Sequence, residues 1–272
     1  MPWLWRQGKM LTYLTIPEWE AQGIQIGFST RWGGISQSPY SSLNLGLHVG
    51  DNPDDVRNNR VVWFEEWNAD FSDVVIGEQV HGVNAYLVKD EDAGRGSLGL
   101  QSVIPDVDAL VTTTSLGLMA FFADCVPVFF YNPKLQAVAI AHAGWKGTQG
   151  KVILNVLDKM RSLGGKPEDC WVAIGPSIGP CCYEVDDRVI SRFEEDFSET
   201  PFLKSVKPGH AMLNLWEANQ SLLKEIGVPS ENIWTAQVCT ACHTDSFFSH
   251  RKEGPSTGRM AGWIRKVPKG GG

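Results

Sequence analysis

A cysteine and a histidine in one predicted β-hairpin form the first candidate site. The segment LMAFFADCVPVFFYNPKLQAVAIAHAGW has two apolar runs around residues 132–135, and Pro133 suits the turn position whose φ it fixes. With a loop at 132–135, Cys125 faces His142 and their Cβ atoms lie about 4.5 to 5.5 Å apart. A thiol beside an imidazole can bind a metal ion or act as a nucleophile with the imidazole as its base. The alternative is a pair of buried core side chains.

His81 is a third candidate donor, in the segment VVIGEQVHG. Period-2 alternation in a predicted strand at 74–80 places Gln79 and His81 on one face and Val80 on the other. The alternation leaves open whether His81 reaches Cys125. Carboxylates for proton transfer are weaker candidates here, and they are Asp106, Asp108 and Asp124.

The elements that must position these residues are mostly strands. Nine segments rich in β-branched or aromatic residues are bounded by turn residues, at 24–29, 74–80, 85–88, 109–113, 118–123, 128–131, 137–142, 171–174 and 233–238. Helices are predicted at about 53–67, 148–163, 187–197 and 213–226. Strands outnumber helices without alternating with them, which favours an α+β fold with mixed sheets. The pattern predicts a single catalytic domain over residues 1–272, divided internally, if at all, near 164–165.

Composition excludes several functional classes. The chain has 272 residues, with 24 Lys and Arg against 31 Asp and Glu, for a net charge of −7. No basic run offsets this charge, so neither nucleic acid nor an anionic membrane is an expected partner. The longest apolar stretch, 116–123, is far shorter than the roughly 20 residues that span a bilayer. The amino-terminal residues do not form a secretory signal, so we expect a cytoplasmic protein with a small-molecule substrate.

Several longer motifs resemble one known family. They are STRWGGIS, SLNLGLHVGD, NNR, EQVHG, ADCVPV, HAGWKGT, IGPSIGPCCYEV and DSFFSHRKEGPSTGRM, and the resemblance spans about 27–264. The family was formerly described as polyphenol oxidase or laccase domain proteins, and its members are now described as purine nucleoside phosphorylases with adenosine deaminase activity. The resemblance implies a β-sheet sandwich flanked by helices. It also implies a zinc ion held by His81, Cys125 and His142.

Two imidazoles and a thiolate are a donor set that suits zinc. Three protein ligands leave a fourth position open, which is the pattern of catalytic zinc sites. Copper is a substitute that the same donors can bind.

The implied reaction is phosphorolysis of adenosine, inosine, guanosine or methylthioadenosine to free base and ribose 1-phosphate, with adenosine deamination as a second activity. Phosphate needs an anion site. Arg31, at a predicted strand end before two glycines, is the predicted phosphate residue, and Lys146, before a helix N-terminus, is a second candidate. His48 and Arg60, in the family motifs, are further candidates for phosphate or substrate contact, without an individual role. His250, Arg251 and Arg259 are plausible lining residues. The preferred nucleoside and the oligomeric state are left open.

Other interpretations of the same residues lead to different functions. An amide or ester hydrolase would use Cys125 as nucleophile and His142 as base. A copper-dependent phenol oxidase is disfavoured because the six His include no H-x-H pair for a multicopper centre. A non-enzymatic binding module would require exposed apolar patches.

The remaining cysteines form two short motifs. Six Cys in 272 residues are too few for a disulfide scaffold. Residues 239–243, CTACH, match the covalent haem signature, but that attachment is not expected in a chain without an export signal. The adjacent Cys181 and Cys182 are interpreted as packing residues.

Overall fold

The computed structural model describes residues 3–267. Its strands are β1 (Leu4–Gln7), β2 (Thr12–Thr15), β3 (Ile24–Ser29), β4 (Val74–Ile76), β5 (Ala85–Val88), β6 (Ala109–Thr112), β7 (Gly117–Phe122), β8 (Val126–Asn132), β9 (Ala137–Ala143), β10 (Trp171–Ile174), β11 (Glu184–Asp186), β12 (Leu203–Lys207), β13 (His210–Leu213), β14 (Ile233–Thr235) and β15 (Met260–Lys266). Its α-helices are α1 (Pro17–Glu20), α2 (Pro53–Glu66), α3 (Trp145–Gln149), α4 (Val152–Ser162), α5 (Asp187–Asp196), α6 (Leu215–Glu225) and α7 (His250–Glu253). Within residues 3–267, every helix is too short or too polar to cross a bilayer.

Two six-stranded sheets form the centre of the fold. Their strand orders are β1-β2-β3-β15-β7-β4 and β14-β10-β8-β9-β6-β5, and a small third sheet has the order β11-β13-β12. Ile26 and Phe28 of β3 share one apolar core with Phe129 of β8 and with Val138 and Ile140 of β9. The two large sheets therefore pack face to face.

Helices cover the outer faces of both sheets. Val128 of β8 packs in one core with Val156 of α4 and Leu222 of α6, and Trp263 of β15 packs in another with Trp63 of α2. Because both of their faces are covered, β8 and β9 are buried at every residue. The predicted α+β architecture, a sandwich of mixed sheets flanked by helices, is confirmed.

Side-chain caps start the longer helices near the predicted positions. Asn52, Asp186 and Asn214 each accept a backbone N–H through a side-chain oxygen, before α2, α5 and α6 respectively. The helix predicted at 148–163 is correct at 152–162, where α4 carries the predicted apolar stripe, but its start is wrong. Two helices, α3 and α4, occupy that region, because the chain breaks at Gly150 and at Lys151, whose φ is +62°.

The hairpin of β8 and β9 has a loop that starts one residue later than predicted. Asn132 pairs with Ala137, so the loop is 133–136 and not 132–135. Asn132 stays in the strand because its Oδ1 accepts the backbone N–H groups of the second and third loop residues. The register therefore differs from the predicted one by two residues.

This shift changes which residue faces His142 across the hairpin. Pro127 lies opposite His142, and Cys125 lies one residue before β8. A two-residue shift keeps every side chain on its predicted face, because the side-chain period of a strand is two. The predicted facing pair is wrong, but Cys125 and His142 remain on the same face.

The strand predicted at 74–80 is correct only at its start. β4 ends at Ile76, and both Gln79 and His81 have positive φ values, +56° and +61°. Strand alternation therefore does not orient His81. His81 is oriented instead by a turn in the segment after β4.

Candidate active site

A cavity of about 470 Å³ lies where the end of β9, the β7–β8 connection and the segment after β4 come together. His81, Cys125 and His142 all line it. Each contributes one potential ligand atom, and these atoms lie within 4.8 Å of one another. The imidazole rings of His81 and His142 meet edge to face, with centroids 4.8 Å apart. The convergence predicted for these three residues is therefore present, from three separate segments of the chain.

Gly144 makes room for this convergence. A Cβ atom at this position would lie 2.9 Å from the Cys125 Sγ and 3.6 Å from the His81 Cδ2. Any side chain larger than hydrogen would push against the sulfur. The glycine in the HAGW motif thus lets the backbone after β9 approach the two donors closely.

Asp108 holds both histidines in place. Its Oδ1 lies 2.8 Å from His142 Nδ1 and accepts the backbone N–H of His81 at 3.0 Å. Its Oδ2 accepts the backbone N–H groups of Val80 and Gly82. Because Asp108 engages Nδ1 of His142, Nε2 is the ring nitrogen left to bind a ligand. One carboxylate therefore fixes the ring of His142 and the turn that carries His81.

The protonation of the site favours an anionic sulfur. Burial raises the pKa of Cys125, but the charge and hydrogen bond of His142 outweigh it and lower the pKa to about 6. Burial lowers the pKa of His142, but Cys125 and Asp108 outweigh it and raise the pKa to about 9. Burial also raises the pKa of Asp108, and His142 with the backbone donors brings it below its ordinary value. The thiolate is the form of cysteine that binds metal ions.

The cavity wall has a basic part and an apolar part. The basic part consists of Arg251 and Arg259, with His48 and His250 also in the lining. The apolar part consists of Phe121, Trp145, Ile178, Tyr183 and Leu215. Asp124 is the one carboxylate among the described lining residues, and its oxygens accept hydrogen bonds from Thr240, Ser249 and the backbone N–H of Arg251. The wall therefore suits a ligand with an anionic end and a flat apolar end.

Two titratable wall residues stay neutral near pH 7. Burial, together with the nearby charges of Arg259 and Arg60, lowers the pKa of His48 to about 4. Burial raises the pKa of Tyr183 well above its ordinary value. Both side chains are therefore neutral hydrogen-bonding groups.

Arg31 does not line this cavity. Its Nη1 donates to Glu253 Oε1 at 2.8 Å and to the Thr244 carbonyl at 2.6 Å, and its Nε donates to the Ser41 carbonyl at 3.0 Å. The guanidinium carbon lies 4.5 Å from the centroid of the Phe248 ring. These contacts tie three segments of the chain together, and the placement does not support the predicted phosphate role.

Lys146 and Arg60 also lie outside the cavity lining, whereas His48 is part of it. Lys146 is exposed on α3, with its Nζ 5.8 Å from the centroid of the Trp145 ring. Arg60 is fully buried beneath Phe121 and donates to the carbonyls of Leu45, Gly96 and Ser97. Of the four predicted substrate residues, the structure brings only His48 to the metal-ligand group.

Arg31→Met is expected to lower the stability of the fold without changing its dependence on phosphate. The substitution removes the Arg31 donor from Glu253 Oε1 and from the carbonyls of Ser41 and Thr244, which costs about 1–3 kcal/mol. Denaturant unfolding measures the loss, and the phosphate KM is measured on the same variant. A rise of about tenfold or more in that KM, in folded protein, would return Arg31 to the binding site.

Asp108→Asn is expected to weaken metal binding by about 10–100-fold, because the amide removes the charge that orients and polarises His142. Competition with a chelator measures the affinity. Asp106→Asn is the matched control, since Asp106 is a nearby exposed carboxylate that binds Asn84. Equal metal affinities for the two variants would contradict the positioning role of Asp108.

Two positioning residues were not recognised from the sequence. Gln79 binds both backbone groups of Phe121 through its side-chain amide, each at 2.8 Å. Asp108 was considered only for proton transfer. Asp108 lies directly before the buried strand β6. This position indicates a positioning role in the sequence, because a carboxylate at a strand end can accept the N–H groups of a neighbouring turn.

Comparison with known proteins identifies the family. The family model described as multi-copper polyphenol oxidoreductase laccase matches residues 25–266. The purine nucleoside phosphorylase YlmD of Geobacillus stearothermophilus is 42% identical over 253 residues, which cover 89% of this chain and 90% of that protein. YlmD of Bacillus subtilis, with the same description, is 36% identical over 88% of this chain and 87% of its own.

Two solved structures are similar to this chain over almost its whole length. The crystal structure of YlmD from Geobacillus stearothermophilus has a TM-score of 0.92 and 39% identity, over 98% of this chain and 100% of that chain. The crystal structure of the hypothetical protein YfiH from Bacillus licheniformis has a TM-score of 0.92 and 37% identity, over 97% and 99% of the two chains. The chain therefore belongs to the family described as multi-copper polyphenol oxidoreductase laccase, which includes relatives named purine nucleoside phosphorylase.

Proposed function

We propose that this protein is a purine nucleoside phosphorylase whose active site is the cavity around His81, Cys125 and His142. The observation that carries the proposal is the convergence of these three donors, fixed by Asp108, beside a wall that is basic on one part and aromatic on another. The names of the curated relatives support the same substrate class.

The donor set fits a zinc ion. Two imidazole nitrogens and one thiolate match the ligands that zinc prefers, and His142 keeps Nε2 available because Nδ1 is bound to Asp108. Zinc bound there supplies a Lewis acid next to the substrate. Copper binds similar donors, so it is a competitor in metal-loaded samples.

Arg259 and Arg251 are the proposed phosphate residues, in place of Arg31. Both residues line the cavity, and a planar guanidinium suits bidentate contact with phosphate. Arg251 is held against Tyr183, with 5.0 Å between the guanidinium carbon and the ring centroid. Arg259 lies near His48, where its charge adds to burial in lowering the pKa of His48. It also lies near Cys125, whose charge opposes the lowering of the Arg259 pKa by burial. A phosphate bound there would lie beside the ligand group.

The apolar part of the wall is the proposed purine site. Phe121, Trp145 and Tyr183 offer aromatic surface for a flat base, and Tyr183 keeps its proton at neutral pH because burial raises its pKa. Its O–H can therefore donate to a purine ring nitrogen. A neutral His48 can donate or accept a hydrogen bond at the ribose.

Adenosine deamination is the proposed second activity. Zinc deaminases use a related set of His and Cys ligands with a Glu for proton transfer. No Glu is among the described residues that line this cavity. Asp108 is committed to His142, and Asp124 to Thr240, Ser249 and Arg251. The lining residues left for proton transfer to or from a purine are His48, Tyr183 and His250.

A Cys–His hydrolase is the second candidate function. The observation in its favour is the lowered pKa of Cys125 beside the raised pKa of His142, which is the pattern of an activated nucleophile. His81 has no role in that mechanism, whereas it completes a metal site. Multicopper oxidation is not supported, because the whole chain has six His and none are paired as H-x-H.

One experiment tests the proposal. Purified protein is incubated with a panel of purine nucleosides, with and without inorganic phosphate, and the products are identified by mass. Bound metal is measured on the same sample. We expect free base and ribose 1-phosphate only when phosphate is present. Metal-loaded protein that releases no base from any nucleoside would contradict the proposal.

A further inference from the structure

Four of the six cysteines meet at a second place, outside the proposed active site. Cys181 and Cys182 lie between β10 and β11, and Cys239 and Cys242 lie in the segment after β14. Their sulfur atoms all lie within 4.8 Å of one another. Cys242 Sγ is 3.4 Å from both Cys181 Sγ and Cys182 Sγ. The packing interpretation is wrong for Cys181, which is exposed. Cys182 does pack, against Ile178 and Cys239, and both thiols also face Cys242.

The spacing of the sulfurs fits one tetrahedral metal ion. With Zn–S bonds of about 2.3 Å, tetrahedral geometry places neighbouring sulfurs about 3.8 Å apart. The sulfur separations, from 3.4 Å to at most 4.8 Å, bracket this value. A disulfide requires about 2.05 Å between two sulfurs and would use only two of the four thiols. All four of these cysteines are free thiols.

The backbone around the thiols is already arranged to hold them. Ser177 and Cys239 form a β-bridge, with Ser177 N–H donating to the Val238 carbonyl and Thr240 N–H donating to the Ser177 carbonyl. Gly179 N–H donates to the Cys239 sulfur at 3.2 Å. Backbone N–H groups directed at a sulfur stabilise its anionic form, which is the form that binds metal.

The spacing of Cys239 and Cys242 in the sequence also indicates a zinc site. Cys239 and Cys242 form a C-x-x-C pair, the spacing common in structural zinc sites. The pair closes in a turn, with Cys242 N–H donating to the Cys239 carbonyl. The soft sulfur donors favour zinc over harder divalent ions such as magnesium or calcium.

We propose that Cys181, Cys182, Cys239 and Cys242 bind a zinc ion in a closed, four-thiolate structural site. Binding releases the four thiol protons to solvent and leaves no position for substrate. The proposal concerns a second metal site and makes no claim about the reaction, but the zinc counts in its test include the ion proposed at His81, Cys125 and His142.

The expected role of this site is to hold one wall of the cavity. Ile178 and Tyr183 line the cavity and flank the first cysteine pair in the chain. On the other side, Thr240 Oγ1 donates to Asp124 Oδ1 at 2.7 Å, next to Cys125. An ion that joins the two segments therefore fixes both the wall and the support of Asp124.

Metal counting on purified, folded protein tests the proposal. Zinc per chain is measured for the wild type, for Cys125→Ala, and for the double variant Cys181→Ser/Cys242→Ser. We expect two zinc ions in the wild type and one in each variant, because the sites are separate. Cys170→Ala is the matched control, since Cys170 is a buried thiol outside both groups, and it is expected to keep two.

Cys125→Ala leaves the four cysteines of the proposed structural site unchanged, so the ligands of that site can be identified in this variant. X-ray absorption of its remaining zinc is expected to show only sulfur neighbours, at about 2.3 Å. Nitrogen neighbours, or no zinc at all in Cys125→Ala, would overturn the proposal. A Cys181–Cys242 or Cys182–Cys242 disulfide in freshly purified wild type, detected by mass after alkylation of the remaining thiols, would overturn it as well.

Discussion

Cys125→Ala is expected to remove the metal from the cavity and to reduce phosphate-dependent release of purine base by at least about 10³-fold. The thiolate is the one anionic ligand among the three donors, and a site with two neutral imidazoles holds a dication much more weakly. Loss of a Lewis acid removes several kcal/mol of transition-state stabilisation, and about 4 kcal/mol corresponds to 10³-fold in rate. Base release and bound metal are measured on one sample.

His81→Ala separates the metal enzyme from the Cys–His hydrolase. The hydrolase would use Cys125 and His142 only, so it would keep its activity without His81. A metal enzyme would lose both ion and turnover in this variant, as in Cys125→Ala. A His81→Ala protein with wild-type turnover would contradict the account.

Arg259→Met is expected to lower kcat/KM for phosphate by about 10²-fold, the second large effect. A charged hydrogen-bonding contact contributes about 3 kcal/mol, which corresponds to this factor. The substitution keeps an unbranched apolar stem and removes the guanidinium charge. Deamination of adenosine does not use phosphate, so its rate is expected to fall less. Initial rates over a range of phosphate concentrations measure the effect.

Lys146→Met is the matched control for this prediction. It removes one positive charge at the exposed surface of α3, outside the cavity lining. A general electrostatic effect on phosphate would therefore appear in both variants. If Lys146→Met and Arg259→Met lower kcat/KM for phosphate equally, the assignment of Arg259 to the phosphate site is wrong.

The identities of the proposed metal ligands were predictable from sequence because they lie in long motifs, EQVHG, ADCVPV and HAGWKGT. It was also predictable that the side chains of Cys125 and His142 lie on the same face of the hairpin. Strand periodicity survives a register error of two residues, so an incorrect loop still places both side chains on one face. The α+β class followed from the excess of strands over helices.

The orientation of His81 was not predictable from periodicity. It depends on a turn with positive φ values, which is held by the carboxylate of Asp108 from 27 positions further along the chain. The role of Arg31 was not predictable from the sequence either. An arginine before two glycines resembles an anion site in sequence, and only the fold reveals that Glu253 and distant carbonyls occupy its donors. Such contacts are formed by tertiary packing and leave no local pattern.

We propose that phosphorolysis takes place at a metal ion held by His81, Cys125 and His142. The most direct measurement removes the metal from wild-type protein and adds zinc back in steps, with Cys125→Ala treated in parallel. Formation of ribose 1-phosphate and bound zinc are recorded at each step. The account predicts that activity disappears with the metal and returns with it in the wild type alone. Phosphorolysis that persists in metal-free wild type, or that zinc restores in Cys125→Ala, would contradict it.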